Sequence, residues 1–560
     1  MSKFGVSQPV KRVEDARFLR GSGSYVEDMR WPNEARAVFV RATMAHADIT
    51  VDASEARGAP GVLAVWTGAD LEAALDNSLG TAPLKNRDGS VCALPRRPLV
   101  AVDRVRHVGE AVAVVIAETL AEAKDAAELV TVDYADRPAV IDTAGALEAD
   151  APQIHPEAPD NLCYDWAMGD DSATDTAFAA AAKTVALDLI DNRVVANPME
   201  TRGCLADWRE GRLHVACNLQ GPWGLKDDLA EKLGLEPAQV HVSTPDVGGG
   251  FGMKANTYPE YIISGYAAKE LSRPVKWISE RTEGILTDAM GRDHVTCAEA
   301  AFDADNKLTA VRINTIAAMG AYLSPFAAYI PSVLASKVLT GVYDVQAYFF
   351  GVKGVFTNTT PTDAYRGAGR PEAIYVIERL MDYAARSLGE DPIALRRKNF
   401  IRSFPYTSAT GELYDVGDFD KVLDTALEKA DAAGFARRKA ESAAQGKLRG
   451  MGVCYYIESI LGDQNETTKF EFAEDGGIDL YVGTQSNGQG HETVFAQFLN
   501  DRLGVPFDKI RLVQGDSDRI AAGGGTGGSR SVTMQGSSIW GAADEWIERA
   551  KPFAGEELEV

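Results

Sequence analysis

A repeated unit occupies two stretches of this 560-residue chain, residues 213–252 and residues 480–531. In each stretch a short apolar strand ends near a glutamine, Gln220 or Gln489, and a turn then leads into an amphipathic helix. Each helix ends at a Leu-Gly pair, where glycine can adopt the left-handed cap conformation. A β-branched strand and a glycine-rich segment follow in both copies. Two such units predict two related half-sites that hold one elongated polar ligand between them.

The composition is that of a globular protein with several domains, since 45% of the residues are hydrophobic and 25% are charged. A net charge of −24 argues against nucleic-acid binding, which needs clustered Lys and Arg. No signal peptide, twin arginine or apolar stretch of transmembrane length occurs, so we expect no membrane contact and a cytoplasmic location. Six scattered cysteines without a CxxC pair predict buried, reduced thiols rather than a zinc or iron–sulfur site.

Changes in composition divide the chain into three parts. Residues 110–116, 119–128 and 129–134 predict a strand, a helix and a strand in the first part. The acidic, proline-containing run at 148–160 predicts a linker, and a second boundary is expected near 403–411. Another sheet region is predicted to begin within residues 446–458, ahead of the second copy of the repeat.

Three glycine-rich loops are the strongest candidates for ligand binding: GGGFG at Gly248–Gly252, GQGH at Gly488–His491, and GGGTGGSRS at Gly523–Ser531. Glycine loops near a helix offer backbone N–H donors to an anion such as a phosphate. Taken singly, each loop is more simply a tight turn, but their related positions in the repeat favour a shared site. The spacing of Gly248–Gly252 does not fit GxGxxG, and no GxxxxGK[ST] occurs in the chain, which makes a nicotinamide dehydrogenase or a P-loop protein a weak interpretation.

Four side chains near these loops are further candidates. Gln220 and Gln489 can each donate an amide hydrogen bond to an oxo group or a phosphate. Arg366, in AYRGAGR, is predicted either to hold an anion or to be a solvated or ion-paired arginine. Glu200, in NPMETRG, is predicted to be a structural carboxylate paired with Arg202 or another arginine. No Ser/His/Asp, Cys/His or HExxH signature occurs, and no motif identifies a general base.

Taken in order, these motifs resemble the molybdenum-binding large subunit of the xanthine oxidase, aldehyde oxidase and carbon-monoxide dehydrogenase family of molybdenum hydroxylases. The similarity covers nearly the whole chain. It lies in KRVEDARFLRGSGSYVED at 11–28, HVGE at 107–110, NPME at 197–200, GGGFG, AYRGAGRPE, GQGHET and GTGGSRS. The resemblance implies an α+β fold with an N-terminal arm at 1–15, an α/β hammerhead domain at 16–148, and two related molybdopterin-binding α/β domains at 149–405 and 406–560, the second incomplete.

The resemblance also implies a cofactor, molybdenum–molybdopterin, either as such or as its cytosine dinucleotide. Gln220 would hydrogen-bond an oxo ligand of the metal without coordinating it. Gly250, Phe251 and Gly252 would lie beside the metal, and Arg366 would match the arginine of the cofactor-binding loop. The other implied cofactor-binding residues are Asn487, Gly488, Gln489, Gly490 and His491, near the phosphate or its nucleotide extension, and Gly527, Gly528, Ser529 and Ser531, along the pterin.

The activity implied by the resemblance is hydroxylation of an electron-poor carbon, with water as the oxygen source. Electrons would leave through [2Fe-2S] clusters and FAD. Because this chain has no cluster-binding cysteines, those centres would lie on an iron–sulfur small subunit and an FAD-binding medium subunit. The implied assembly is a dimer of heterotrimers.

Three implied substrate-pocket positions depart from well-known members of the family. Ala255 stands where purine oxidisers carry a glutamate, and Ala368 stands where they carry the aromatic ring that clamps purines. Gly367 stands where carbon-monoxide dehydrogenases carry a copper-binding cysteine. We therefore expect neither xanthine nor carbon monoxide as substrate, which leaves an aldehyde or an aromatic N-heterocycle.

The family's catalytic glutamate lies in a Gly-Glu-Pro-type motif that has no counterpart before Val560. Glu110, Glu390 and Glu556 lie in surroundings that do not match it, so no catalytic residue is assigned. The isolated chain is therefore expected to be inactive, and a fragment of a longer protein is favoured over an enzyme split between two chains. The alternative function is a non-catalytic molybdopterin carrier, or a half-site subunit that needs a second chain.

Overall fold

The computed structural model describes residues 5–461 and 465–558; residues 1–4 of the predicted arm and 559–560 of the last predicted domain lie outside these ranges. The strands are β1 (Ala35–Arg41), β2 (Ala47–Asp52), β3 (Val62–Thr67), β4 (Arg104–Val105), β5 (Ala111–Ala117), β6 (Thr131–Asp136), β7 (Leu162–Gly169), β8 (Lys183–Asp191), β9 (Gly203–Arg209), β10 (Arg212–Cys217), β11 (Val240–Ser243), β12 (Val275–Ile278), β13 (His294–Phe302), β14 (Leu308–Gly320), β15 (Ala347–Phe356), β16 (Tyr406–Thr407), β17 (Leu413–Tyr414), β18 (Thr468–Phe472), β19 (Ile478–Val482) and β20 (Ile510–Val513).

The α-helices are α1 (Asp15–Phe18), α2 (Ser54–Arg57), α3 (Gly68–Ala74), α4 (Leu120–Glu128), α5 (Asp171–Ala180), α6 (Trp223–Lys232), α7 (Pro259–Leu271), α8 (Arg281–Thr287), α9 (Arg370–Leu388), α10 (Pro392–Asn399), α11 (Phe419–Lys429), α12 (Phe435–Ala444), α13 (His491–Leu503) and α14 (Gly536–Leu558). Among the described residues, no helix combines the length and the apolar character needed to cross a bilayer.

A seven-stranded sheet joins the predicted hammerhead region to the first predicted cofactor domain, with strand order β11-β10-β9-β12-β1-β5-β3. The link is the parallel pair of β1 and β12, in which Ala35 lies opposite Val275. Every residue of β5 is buried, as expected for an apolar run covered on both faces. The seven-stranded sheet therefore contains strands from both sides of the predicted boundary at residue 148.

The strand–helix–strand pattern predicted at 110–134 is present as β5, α4 and β6. Helix α4 begins after Thr119, whose side chain accepts a hydrogen bond from the Glu122 N–H. The two strands belong to different sheets, however, because β6 pairs with β2 in a three-stranded sheet of order β4-β2-β6. The segment is therefore not a crossover within one sheet.

A second large core surrounds the five-stranded sheet β7-β15-β14-β13-β8, with helix α9 packed against β8 and β13. Ile154, His155 and Ala158 are buried, and both apolar residues belong to this core. The predicted linker is therefore not free along its whole length, because residues 154–158 are anchored to this core while residues 148–150 are exposed. Proline and acidic residues gave it a linker-like composition, but its few apolar side chains anchor it.

The second copy of the repeat forms a three-stranded sheet, β18-β19-β20, covered by α13 and α14. Strand β19 pairs in parallel with β20, just as β10 pairs in parallel with β11, so the repeat is structural. The sheet region predicted from 446–458 is wrong, since residues 449–461 form no strand. This segment is held by side-chain contacts, such as the hydrogen bond from the Tyr455 N–H to Glu378 Oε2 at 2.8 Å.

The cysteines are all unpaired, as predicted, but not all of them are buried. Cys92, Cys163, Cys204 and Cys217 are buried, whereas Cys297 and Cys454 are exposed. The prediction of buried thiols is therefore wrong for these last two residues.

Candidate functional site at the junction of the two repeats

The strand registers show which glutamines correspond in the two copies. Leu213 lies opposite Val240 in the first copy, and Ile478 lies opposite Ile510 in the second. Counting seven residues onward from Leu213 and from Ile478 reaches Gln220 and Gln485. The counterpart of Gln220 is therefore Gln485, and the pairing of Gln220 with Gln489 is wrong. The equal spacing from strand to glutamine can be read from the sequence and would have identified Gln485 as the counterpart.

The two copies meet where their loops cross. The Gln220 carbonyl accepts a hydrogen bond from the Thr526 N–H at 2.7 Å, and the Gln485 N–H donates to Thr526 Oγ1 at 3.1 Å. The Thr244 N–H donates to the Gly515 carbonyl at 2.7 Å, extending the first copy onto the second. The half-sites predicted from the repeat therefore share one junction.

Gln220 is the side chain that ties this junction together. Its Nε2 donates to the Thr526 carbonyl at 2.7 Å, and its Oε1 accepts from the Gly252 N–H at 2.7 Å. A Cβ at Gly250 would lie 2.6 Å from Gln220 Oε1 and 2.9 Å from Asn487 Nδ2, so only glycine fits there without displacement. One of the two N–H groups of Nε2 is used in this bond.

The GGGFG loop lies against the AYRGAGR loop. The Arg366 N–H donates to the Phe251 carbonyl at 2.8 Å, and a Cβ at Gly252 would lie 2.7 Å from the Ala364 carbonyl oxygen. Phe251 and Gly252 have φ values of +57° and +95°. The Arg366 guanidinium lies 5.9 Å from the centre of the exposed Phe251 ring, and no carboxylate pairs with it within the described ranges. Arg366 is thus a cation available to a ligand.

An ion pair between Glu200 and Lys254 supports the GGGFG loop. Glu200 Oε2 accepts from the Gly248 N–H at 2.8 Å and from Lys254 Nζ at 2.9 Å, so its partner is a lysine rather than the predicted arginine. Burial lowers the pKa of Lys254, and the Glu200 carboxylate opposes that shift. Arg202 pairs instead with Glu260 and Asp288.

The AYRGAGR loop has its own buried supports. Arg292 donates to the carbonyls of Tyr365 and Arg366 at 2.9 and 3.0 Å, and it pairs with Glu372. Asp363, just before the loop, accepts from the Phe326 N–H at 3.3 Å. Burial raises the pKa of Asp363 to about 6.

The GQGH loop lies between the junction and the N-terminal arm. Gly488 and Gln489 are exposed, Gly490 has a φ of +85°, and the Arg12 guanidinium donates to the Gly488 carbonyl at 2.8 Å. His491 is buried, and that burial lowers its pKa to about 4. The imidazole is therefore neutral at pH 7, and its role as a cofactor-binding residue remains a prediction.

The glycine loop at Gly523–Ser531 contributes exposed backbone to the same junction. Gly527 and Ser529 are exposed, while Gly528 and Ser531 are half-buried. The Gly528 carbonyl accepts from the Leu461 N–H at 2.8 Å, and Ser531 Oγ lies 3.0 Å from Thr526 Oγ1. A Cβ added to Gly527 would meet no atom within 4 Å, so this residue borders open space.

The three predicted substrate-pocket positions lie on the two touching loops. The N–H of exposed Ala255 donates to the Gly252 carbonyl at 2.9 Å, and the N–H of half-buried Ala368 donates to the Tyr365 carbonyl at 2.8 Å. Gly367, between Arg366 and Ala368, has a φ of +92°. These positions flank the Phe251–Arg366 contact without presenting a carboxylate, an aromatic ring or a thiol there.

The side chains at the junction fit a ligand that carries both N–H donors and phosphate oxygens, as a phosphorylated pterin does. Asn487 Nδ2 donates to the Leu219 carbonyl at 3.3 Å, while its Oδ1 is buried without a hydrogen-bond partner in the described part of the chain. That atom can accept from a ligand N–H, and Arg366 can pair with a phosphate. The ranges 5–461 and 465–558 contain no cluster of three or more His, Cys, Asp or Glu suited to a metal ion.

Three family models match the chain. The α/β hammerhead domain of aldehyde oxidase and xanthine dehydrogenase matches residues 20–138, and two molybdopterin cofactor-binding domains match residues 154–400 and 425–560. The predicted order of one hammerhead domain and two cofactor-binding domains is confirmed. The boundaries at 15, 148 and 405 remain predictions.

Curated relatives and solved structures agree with these matches. The nicotine 6-hydroxylase large subunit of Paenarthrobacter nicotinovorans is 36% identical over 558 residues, which cover 96% of this chain and 67% of that protein. The carbon monoxide dehydrogenase large chain of Hydrogenophaga pseudoflava is 35% identical, covering 98% of this chain and 71% of that protein. Quinoline 2-oxidoreductase from Pseudomonas putida 86 superposes with a TM-score of 0.93 at 31% identity, covering 100% of this chain and 72% of that one.

Reconstituted carbon monoxide dehydrogenase from Oligotropha carboxidovorans also superposes, with a TM-score of 0.92 at 32% identity over 99% of this chain and 72% of that one. The similarity thus extends across all three matched domains and includes the junction of the two repeats. The chain therefore belongs to the xanthine oxidase family of molybdenum-dependent oxidoreductases, as a large, molybdopterin-binding subunit.

Proposed function

We propose that this chain is the molybdopterin-binding catalytic subunit of a hydroxylase that inserts water-derived oxygen at an electron-poor carbon of an aromatic N-heterocycle or an aldehyde. The observation that carries the proposal is the junction at which Gln220, the GGGFG loop, Arg366 and Asn487 come together. When bound, the molybdenum cofactor supplies the oxygen-transfer and redox chemistry. The residues of this chain bind and orient it.

Each residue has a distinct task in this proposal. The second N–H of Gln220 Nε2 would donate to an oxo ligand of the bound cofactor, while the bond from Nε2 to the Thr526 carbonyl holds the amide in place. Arg366 pairs with an anionic oxygen, and Asn487 Oδ1 accepts from the pterin. The exposed backbone of Gly488 and Gly527 lies along the remaining length of the ligand, including a cytosine dinucleotide extension.

An aromatic N-heterocycle is favoured over an aldehyde. Two of the relatives are named for N-heterocyclic substrates, nicotine and quinoline. Ala255 and Ala368 are small side chains on the two loops that meet at Phe251 and Arg366. Carbon monoxide is disfavoured as a substrate, although two relatives are carbon monoxide dehydrogenases, because Gly367 provides no thiol.

Partner subunits complete the proposed enzyme. Relatives are named as a large subunit, a large chain and a complex subunit gamma, which supports a multi-subunit assembly. Hydroxylation with water releases two electrons, and we assign their removal to an iron–sulfur small subunit and an FAD-binding medium subunit. A dimer of such heterotrimers is the assembly we propose.

The test uses the complex purified from its native source, with the intact mass of each chain, molybdenum and pterin measured first. Turnover of quinoline, nicotine and benzaldehyde is then followed in ¹⁸O-labelled water. We expect ¹⁸O in a hydroxylated heterocycle. A complex with full molybdenum occupancy that turns over none of the three compounds would contradict hydroxylation and support the alternative, a non-catalytic molybdopterin carrier.

A further inference from the structure

A cavity of about 260 Å³ lies between the hammerhead region and the first cofactor-binding domain. Its walls include Leu79, Thr81 and Arg97 on one side and Asn256, Tyr258 and Ser324 on the other. Asn256, the residue after Ala255, lines the cavity, but no residue of the three glycine loops does. It is therefore separate from the junction that holds the cofactor in the proposed function.

One buried polar atom at this cavity has no hydrogen bond. Thr81 Oγ1 is buried and has no hydrogen-bond partner in the described part of the chain. Asn256, on the opposite wall, hydrogen-bonds the buried Asp363 carboxylate, which lowers the pKa of that group against the effect of burial. Burying unpaired polar groups costs free energy, so a ligand or water that pairs with them is favoured.

Arg97 supplies the charge of the cavity. Its backbone is fixed by an antiparallel bridge to Leu79, in which the Leu79 N–H donates to the Arg97 carbonyl at 2.9 Å. The guanidinium donates to Ser324 Oγ at 3.3 Å and pairs with no carboxylate within the described ranges. Burial lowers the pKa of this guanidinium. It remains charged, because an arginine does not deprotonate in a protein.

Among the described residues Arg97 makes no ion pair, although the Glu260, Glu110 and Asp363 carboxylates act on it electrostatically. Lys232, on the same wall, is paired with Asp76 at 2.6 Å and with Glu231 at 3.0 Å. Asp228 also lines the wall, and burial raises its pKa. Leu79, Tyr258 and Pro325 add an apolar surface beside these polar groups. The cavity thus combines an arginine without an ion pair, one unpaired hydroxyl and an apolar wall.

We propose that this cavity binds a small organic carboxylate with an apolar body. The carboxylate pairs with Arg97 in the forked geometry that a guanidinium favours, the Thr81 hydroxyl donates to it as well, and the body packs on Tyr258 and Pro325. A volume of about 260 Å³ lies just below the usual range for drug-sized ligands, so the ligand is a small acid. This inference does not depend on the proposed hydroxylation.

Calorimetric titration of the native complex with benzoate, and separately with the neutral isostere benzamide, tests the proposal. Benzoate should bind saturably and more tightly than benzamide. Arg97→Gln should weaken benzoate binding by about tenfold or more, the effect of losing one charge-assisted pair. The matched control is Arg96→Gln, since Arg96 is exposed and paired with Glu72, and it should bind benzoate like the unsubstituted protein.

Thr81→Val keeps the shape of the side chain and should weaken benzoate binding by about threefold, so it serves if Arg97→Gln fails to fold. The thermal unfolding midpoint of each variant identifies such a failure. Absence of saturable benzoate binding to the unsubstituted complex would mean that the cavity holds water only and would overturn the proposal. Equal benzoate affinity in the folded Arg97→Gln or Thr81→Val variant would overturn it as well.

Discussion

Gln220 joins three loops that are far apart in the sequence. Its amide donates to Thr526, accepts from Gly252, and lies against the Cα of Gly250. The side chain is nearly buried, with 5% of its surface exposed, so both bonds are made where water cannot replace them. The family resemblance implies only that Gln220 hydrogen-bonds an oxo ligand of the metal. The structure shows that Gln220 also links the two repeats.

Replacing Gln220 by Ala should destabilise the protein by about 1–3 kcal/mol, because a buried carbonyl and a buried N–H lose their partner. The molybdenum content should fall as well, since the loops that meet at the junction are no longer tied. Urea unfolding and metal analysis measure the two effects. The control is Gln445→Ala at an exposed glutamine. An unchanged free energy of unfolding would contradict the structural role of Gln220.

Gly250 and Gly527 are expected to respond differently to substitution by Val. At Gly250 the new Cβ would meet Gln220 and Asn487 below 3 Å, so folding and molybdenum content should both suffer. At Gly527 the Cβ meets no atom within 4 Å, so folding should be unchanged while molybdenum content falls, because the side chain occupies ligand space.

Thermal unfolding and metal analysis distinguish the two glycine variants. Gly450→Val is the control, since Gly450 is exposed and a Cβ there meets nothing within 4 Å. Full molybdenum occupancy in Gly527→Val would show that Gly527 does not border the ligand.

At the scale of elements, the N-terminal arm clamps the two cofactor-binding domains together. Glu14 is 3% exposed and accepts from the Thr493 hydroxyl at 2.5 Å, on helix α13 of the second copy. Arg17, two residues beyond the predicted arm, pairs with Asp246 of the first copy and with Glu492 of the second. The arm therefore fixes the start of α13, and with it the GQGH loop, relative to the GGGFG loop.

Glu14→Gln should loosen this clamp, because a charge-assisted bond to a buried hydroxyl becomes a neutral one. We expect faster proteolytic cleavage of the arm and a lower thermal unfolding midpoint. Limited proteolysis followed by mass spectrometry measures the first effect. The control is Glu55→Gln on the exposed face of α2. Equal cleavage rates in the two variants would show that the arm is not held through Glu14.

The two copies of the repeat differ in one loop. Two residues separate Gln220 from helix α6, whereas five residues separate Gln485 from helix α13. The longer loop carries Asn487, whose amide reaches the Leu219 carbonyl of the first copy. The longer loop gives the second copy more polar groups at the junction than the first copy has. Such a difference suits an elongated ligand whose two ends are chemically different.

At the scale of the whole molecule, buried neutral histidines make stability depend on pH. Burial lowers the pKa of His155, His294 and His491 from 6.5 to about 4. Between pH 6.5 and 4 the unfolded chain binds protons that the folded chain does not, so stability falls on acidification. Asp363, whose pKa is raised from 3.8 to about 6, has the opposite effect between those values and offsets one histidine.

We therefore expect the free energy of unfolding to fall between pH 6.5 and pH 4.5, where these buried histidines are protonated only in the unfolded chain. His294→Gln should reduce that slope by about 1.4 kcal/mol per pH unit, the effect of one titrating group. Urea unfolding of both proteins at several pH values measures the slopes. A variant with the same slope as the unsubstituted protein would show that His294 is not a buried neutral histidine.

The sequence by itself determined the repeated strand–helix–strand units and the positions of the glycine loops. Strands β10, β11, β19 and β20 follow from short apolar runs, and Gly234 and Gly504 end the helices between them. Apolar periodicity and glycine caps depend on residues that are adjacent in the chain, so local patterns suffice to predict them. The ordered motifs also identified the family.

Only the tertiary structure decided which residues meet. The partner of Glu200 is Lys254, the counterpart of Gln220 is Gln485, and Ile154 and Ala158 anchor the predicted linker to a core. The pairing of β1 with β12 likewise joins strands that are more than two hundred residues apart. These outcomes depend on which buried charges, backbone groups and apolar surfaces find partners across the fold, and no pattern of neighbouring residues encodes that choice.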